Sequence, residues 1–131
     1  MSDDQQIAGL YAAYALAIDA GDMAALRTCF ADDARYEVEG SYVETGADAI
    51  LVRVKSRRHE GWTHVTSNLS VSIAGSTGSG RATFLVLDDA AQPIATGEYD
   101  DDLVRTADQR WVFSRRLIRY RGTRNSLRER A

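Results

Sequence analysis

Trp62-Thr63-His64-Val65-Thr66-Ser67-Asn68-Leu69-Ser70-Val71-Ser72-Ile73 is the stretch on which the fold turns. From Val65 onward, Val65, Ser67, Leu69, Val71 and Ile73 alternate with Thr66, Asn68, Ser70 and Ser72. That period of two predicts a long strand with one packed face. The pattern continues downstream. A glycine-rich turn over 75–80 leads into a strand at 81–87, a turn over 88–93 into a strand at 94–105, and a turn over 106–109 into a strand at 110–121. Four long strands joined by short polar turns predict an antiparallel meander.

Upstream of Gly61 the period is helical. Ile7, Leu10, Tyr11, Tyr14 and Ile18 fall on one face of a first helix, with Asp3 or Asp4 as its N-cap and Gly21 as its stop. Asp22 caps a second helix over 23–30, with Leu26, Cys29 and Phe30 inward. Asp32-Asp33 turn the chain into a short strand over 34–39, and Gly40 turns it back through 41–45. A third helix over 47–58 carries Ile50, Leu51 and Val54 as its apolar stripe, with Arg53, Lys55, Arg57 and Arg58 as its wet face. Helices followed by antiparallel strands predict an α+β class: a cone-shaped α+β barrel, with about three N-terminal helices packed on a curved, mostly antiparallel sheet. Such a sheet leaves an open end, and so a cavity. Neither a repeat nor a linker interrupts the pattern, so residues 1–131 are expected to form one domain.

The 131 residues are 44% hydrophobic with a net charge of −3, which argues for a globular domain and against a nucleic-acid partner. A single cysteine, Cys29, permits no internal disulfide. The acidic start of the chain lacks the pattern of a secretory signal, and no apolar run has the length of a bilayer span. A cytoplasmic protein without membrane contact is expected. The basic stretch 123–131 is weakly patterned, and fraying is expected there. No His/Cys/Asp/Glu cluster has metal-ligand spacing, and the glycines at 75, 78 and 80 fall in a turn rather than a phosphate-binding loop.

His64 is one of two histidines and stands at the head of the long strand. A general base working near neutral pH is most simply a histidine. A carboxylate on its donor nitrogen fixes the tautomer and stabilises the imidazolium that forms. Asp19, at the end of the first helix, is placed to reach into the mouth of the cavity, and Arg116 on the last strand would offer a cation to developing negative charge. Proton abstraction from carbon followed by loss of a neighbouring group suits this set, with neither metal nor organic cofactor.

The runs Leu10 to Asp19, Tyr36-Glu37-Val38-Glu39-Gly40, His64 to Leu69, and Gly97-Glu98-Tyr99 through Trp111 to Arg116 together resemble the SnoaL-like branch of the nuclear transport factor 2-like superfamily. They are most similar to its scytalone dehydratase and γ-hexachlorocyclohexane dehydrochlorinase group. The resemblance implies a catalytic pair of Asp19 and His64, with Arg116 in the place of the dehydrochlorinase's last-strand arginine. Substrate contacts are expected from Tyr14, Tyr36, Asn68, Glu98 and Asp100. The sequence departs from the dehydratase in three places. Ile18 replaces a tyrosine, no second active-site histidine exists because His59 lies by the third helix, and Glu98 and Asp100 are acids where polar pocket residues stand.

Each residue also has a plainer reading. Asp19 could bind nearby backbone or be solvated, and His64 could be a hydrogen-bonded strand residue. Arg116 lies among Arg110, Arg115, Arg119 and Arg121 and could be ion-paired. Strand alternation sets Arg116 on one face with Ser114 and Ile118, and Arg115 on the other with Phe113 and Leu117; a one-residue slip would exchange the two arginines. Three functions are open. One is a lyase (dehydratase or dehydrohalogenase) acting on a small, mostly apolar cyclic substrate. The second is a steroid or polyketide isomerase or cyclase, and the third is a non-catalytic binding or assembly protein. A homodimer or homotrimer is expected through the outer sheet face, with Leu85, Leu87 and Leu103 as candidates.

Overall fold

The first helix, α1 (Asp3–Ala20), forms under a capping box: the Ser2 side chain accepts from the Gln5 amide, and the Gln5 side chain accepts from the Ser2 amide. The cap is therefore Ser2 rather than Asp3 or Asp4, which occupy the first turn and favour the positive end of the helix dipole. Asp3 also accepts from the Trp111 indole at 3.0 Å and so ties the helix start to the last strand. Gly21 ends α1 in the left-handed conformation at φ 70°. Asp22 then caps α2 (Met23–Arg27), which is shorter than the sequence suggested. Cys29 and Phe30 are buried, but Phe30 already begins the first strand.

The computed structural model describes residues 1–124. It comprises α1, α2 and α3 (Ala47–Arg57) packed on one six-stranded, curved, unclosed sheet. The strands are β1 (Phe30–Val38), β2 (Tyr42–Thr45), β3 (Thr63–Ala74), β4 (Thr77–Leu87), β5 (Pro93–Arg105) and β6 (Trp111–Thr123), in the order β2-β1-β6-β5-β4-β3. The expected meander is β3 to β6, antiparallel throughout, while β1 joins β6 in parallel. Gly78 and Gly80 lie within β4 rather than in the preceding turn. The tail beyond residue 124 lies outside the described residues. Among the described residues no helix is long and apolar enough to cross a membrane.

Irregular register shapes the sheet. In β3 the pairing with β4 shifts between Ser67 and Ser70, and Asn68 takes a φ of 55°. Such an extra residue switches the faces of the strand on either side of it. His64 and Thr66 thus point inward before the bulge, Leu69, Val71 and Ile73 after it, and Val65 points out at 43% exposure. In β5 Gly97 sits at another shift, where an added Cβ would lie 2.5 Å from the Phe84 ring and 2.3 Å from the Arg119 carbonyl oxygen. Only glycine lets the sheet close this tightly over that ring. The core between helices and sheet is aromatic, with Tyr11, Tyr14, Phe30, Tyr99 and Phe113 in edge-on contacts. Leu103 belongs to this core at 1% exposure, not to the outer face, because inward positions on β5 are the odd-numbered ones. Leu85 and Leu87 are half-buried on the outer face.

Candidate active site

The open end of the sheet holds a cavity of about 460 Å³. The end of α1 contributes Tyr14, Ile18 and Asp19 to its wall, β1 contributes Tyr36 and Val38, and α3 with the segment after it contributes Val54, Arg57, Arg58, His59 and Trp62. His64 of β3, Phe84 and Val86 of β4, Tyr99 of β5, and Ile118 and Tyr120 of β6 complete most of the circuit. Aromatic and aliphatic side chains make up most of the wall, and Asp19, Glu39, Arg57, Arg58, His59 and His64 add charged groups and imidazoles to it.

His64 and Asp19 meet on this wall. Nδ1 of His64 lies 2.7 Å from Oδ1 of Asp19, and the His64 backbone N–H donates to both carboxylate oxygens at 3.1 and 3.0 Å. Both side chains are only about one-fifth exposed, at 20% and 23%. A carboxylate accepts from Nδ1–H, so the proton of a neutral ring rests there and Nε2 carries the lone pair. The α1 terminus is held in turn by Arg58. Its Nε donates to the Ile18 carbonyl at 3.0 Å, Nη2 to the Asp19 carbonyl at 3.1 Å, and Nη1 to Glu60 at 2.9 Å. A Cβ on Gly21 would come within 2.9 Å of the guanidinium, so Gly21 serves both the left-handed turn and this clamp.

Further along the wall the hydroxyls of Tyr14 and Tyr36 stand 2.7 Å apart. Burial pushes both phenols up, and Tyr36 is raised further by Tyr14 beside it. Both are therefore neutral donors near pH 7. Two hydroxyls that bond to one another use one proton between them, which leaves one O–H for a guest.

Arg116 is elsewhere. It is wholly buried, and its Nε and Nη2 donate to Asp101 at 2.9 and 2.8 Å. The Tyr11 hydroxyl donates to the same carboxylate. Tyr99, Phe113 and Tyr14 present ring faces to the guanidinium at 3.7, 4.1 and 4.2 Å. Burial opposes its charge, but Asp101 beside it keeps it protonated well above the ordinary range. It thus lies behind the cavity wall rather than across the cavity from His64. Arg116 does face inward with Ile118, as alternation predicts, but Asp101 and the surrounding rings enclose it there; the register shift between Asp102 and Leu103 brings Phe113 onto the same face.

Three expected contacts also leave the cavity. Glu98 and Asp100 are even-numbered on β5 and face outward, where Arg81 lies 3.3 Å from Glu98 and Arg119 lies 3.2 Å from Asp100. Asn68 is exposed at the β3 bulge and donates to Thr83 at 3.3 Å. Tyr14 and Tyr36 do line the cavity. Sequence reading missed Arg57, Arg58 and His59, which it left on the wet face or beside the third helix. His59 stacks on Trp62 at 3.9 Å, and a histidine three residues before a tryptophan at a helix exit was the available signal.

The SnoaL-like domain model matches residues 1–117. Solved structures agree in fold. A Mycobacterium tuberculosis protein of unknown function is 26% identical with a TM-score of 0.83, covering 94% of this chain and 79% of that one. A scytalone dehydratase-like protein of Novosphingobium aromaticivorans is 21% identical with a TM-score of 0.81, covering 92% and 85%. The hexachlorocyclohexane dehydrochlorinase LinA-type3 of Novosphingobium barchaimii is 24% identical with a TM-score of 0.79, covering 92% and 87%. A comparison with curated proteins finds no match. With its three helices on a curved sheet and the family pattern running from residue 1 to residue 117, the chain belongs to the SnoaL-like domain family.

Proposed function

We propose that the protein is a cofactor-independent lyase, of dehydratase or dehydrohalogenase type, acting on a small, mostly apolar cyclic substrate. The observation that carries this reading is the 2.7 Å contact between His64 Nδ1 and Asp19 on the wall of an aromatic cavity. Nε2 of His64 takes a proton from a carbon of the substrate, and the carboxylate of Asp19 stabilises the imidazolium that results. The electron pair released forms the new double bond as the neighbouring hydroxide or halide leaves. The spare hydroxyl proton of the Tyr14–Tyr36 pair meets the negative charge that develops on that side. Arg116 supports this wall from behind and holds Tyr14 and Tyr99 in place. Isomerisation or cyclisation through an enolate would use the same base. Three structural neighbours whose names are those of a scytalone dehydratase-like protein and of hexachlorocyclohexane dehydrochlorinases favour elimination.

The test is turnover of a panel of halogenated and hydroxylated cyclohexanes and cyclohexenones, read by mass spectrometry for loss of HCl or water. His64→Ala is expected to lower the rate by about 10³-fold, within the range for a positioned base. An active wild type whose rate is unchanged in His64→Ala would overturn the reading, and a product of unchanged mass would move it to isomerase. A homodimer or homotrimer through the outer face of Leu85 and Leu87 remains expected; a monomer by light scattering at micromolar concentration would remove it.

A further inference from the structure

Six charged side chains or imidazoles line the cavity: Asp19, Glu39, Arg57, Arg58, His59 and His64. Five have partners. Asp19 engages His64, Glu39 engages Arg119 at 3.1 Å, Arg58 clamps the end of α1 and Glu60, and His59 lies on Trp62. Arg57 has no acid within 4.0 Å among the described residues, whereas each of the other described arginines does. Its guanidinium instead sits 4.8 Å from the ring centre of Tyr42, and Arg53 stacks on the same ring at 4.4 Å while bound to Glu44. Burial raises the phenols of Tyr42 and Tyr120, and the charge of Arg57 draws both back down.

We infer that Arg57 is a specificity-determining residue that receives an anionic substituent, a ring carboxylate in the first instance, while the ring itself enters the aromatic cavity. A guanidinium held by stacking keeps its N–H edge free, and that edge matches a carboxylate with two parallel hydrogen bonds. The acids nearest on the wall, Asp19 and Glu39, are already engaged, so neither neutralises it. Placing the charge at the rim leaves the anion partly hydrated and lets the apolar ring take the dry interior, which avoids the cost of burying a carboxylate. The inference deepens the proposed lyase reading, on which it rests for the identity of the cavity as the substrate site, and it narrows the substrate to a cyclic acid.

The test uses 2-naphthoate and its neutral counterpart 2-naphthamide, titrated calorimetrically against the full chain at pH 7.5. The wild type is expected to bind the acid roughly fivefold to tenfold more tightly, as one charge-assisted bidentate contact allows. Arg57→Gln is expected to abolish that preference with the amide's affinity unchanged, and Arg57→Lys to keep part of it. The preference should also shrink at high salt, because the contact lies at the rim. Equal binding of the two ligands by wild type overturns the inference. So does a preference that survives Arg57→Gln, an equal loss for both ligands in that variant, or no binding of either at about 5 mM. His64→Ala is expected to keep the preference. Loss of turnover and loss of acid preference therefore report separately on the base and on the anion contact.

Discussion

Two acid–base contacts in this molecule use nearly the same ingredients and end in opposite roles. Arg116 and Asp101 pair in the core at 2.8 and 2.9 Å, with no exposed surface, a tyrosine hydroxyl on the carboxylate and aromatic faces around the guanidinium. His64 and Asp19 pair at 2.7 Å on a cavity wall, each about one-fifth exposed, with one imidazole nitrogen still uncommitted. What separates them is access and spare valence. A charge that is fully surrounded can only hold its neighbours, whereas a half-enclosed ring with a free lone pair can take a proton from a guest.

The sharpest way to break this contrast is in the core. Asp101→Asn leaves a buried guanidinium without its counter-charge and should cost about 3–5 kcal/mol of stability by denaturant unfolding. If the loss were under about 1 kcal/mol, the pair would not be a sealed one. Next comes the cavity pair. Asp19→Asn keeps an oxygen for the His64 amide but removes the charge beside Nδ1, and kcat/KM should fall about 100-fold, equivalent to about 2.7 kcal/mol of transition-state stabilisation. Thermal unfolding of that variant should stay near wild type, so a large drop in Tm would make Asp19 a structural residue like Asp101. Third, Arg116→Met combined with Asp101→Asn should cost less than the two single changes added together, with a coupling of about 0.5–3 kcal/mol. Strict additivity would deny that the two charges interact.

The smallest effect concerns Cys29, a buried group that touches neither the cavity nor a charge of its own. Burial pushes its thiol up from 9.0 to about 11. The folded state then holds this proton more tightly than the unfolded chain. The contribution is present below pH 9 and is lost as pH rises from about 9 to about 11. Cys29→Ala should flatten the stability profile across that window, and native protein should resist iodoacetamide at pH 8 while unfolded protein reacts. Rapid native labelling would show that this part of the core opens.

The sequence made the fold legible because its periods agree over long runs: helical spacing from Ile7 to Ile18 and the alternation of the strands are set by which face is buried, although in β3 that face changes at Asn68. Asp19 and His64 were legible for the same reason, since a helix end and a strand head were placed independently and the topology brings them together. The misplaced residues have different causes. Arg116 keeps the inward face it shares with Ile118 but is enclosed there by Asp101 and four rings, which alternation does not show; Asn68 is itself the extra residue of β3. One inserted residue inverts every face beyond it, and a pattern of two has no way to announce it. Glu98 and Asp100 failed differently, because three consecutive aspartates follow Tyr99 and composition alone does not say which of them turns inward. Arg57 and Arg58 were hidden by their charge, which reads as a solvated helix face until the adjoining strands close an opening around them.

The carboxylate of Asp19 also does something unrelated to protons on a ring. β3 is the outermost strand on its side of the sheet, and the His64 amide is turned away from β4 toward that side chain. Asp19 therefore plugs a backbone donor on a margin that would otherwise welcome a foreign strand. Truncation to alanine leaves this margin uncapped, so preparations of Asp19→Ala are expected to grow turbid on storage at concentrations where Asp19→Asn stays clear.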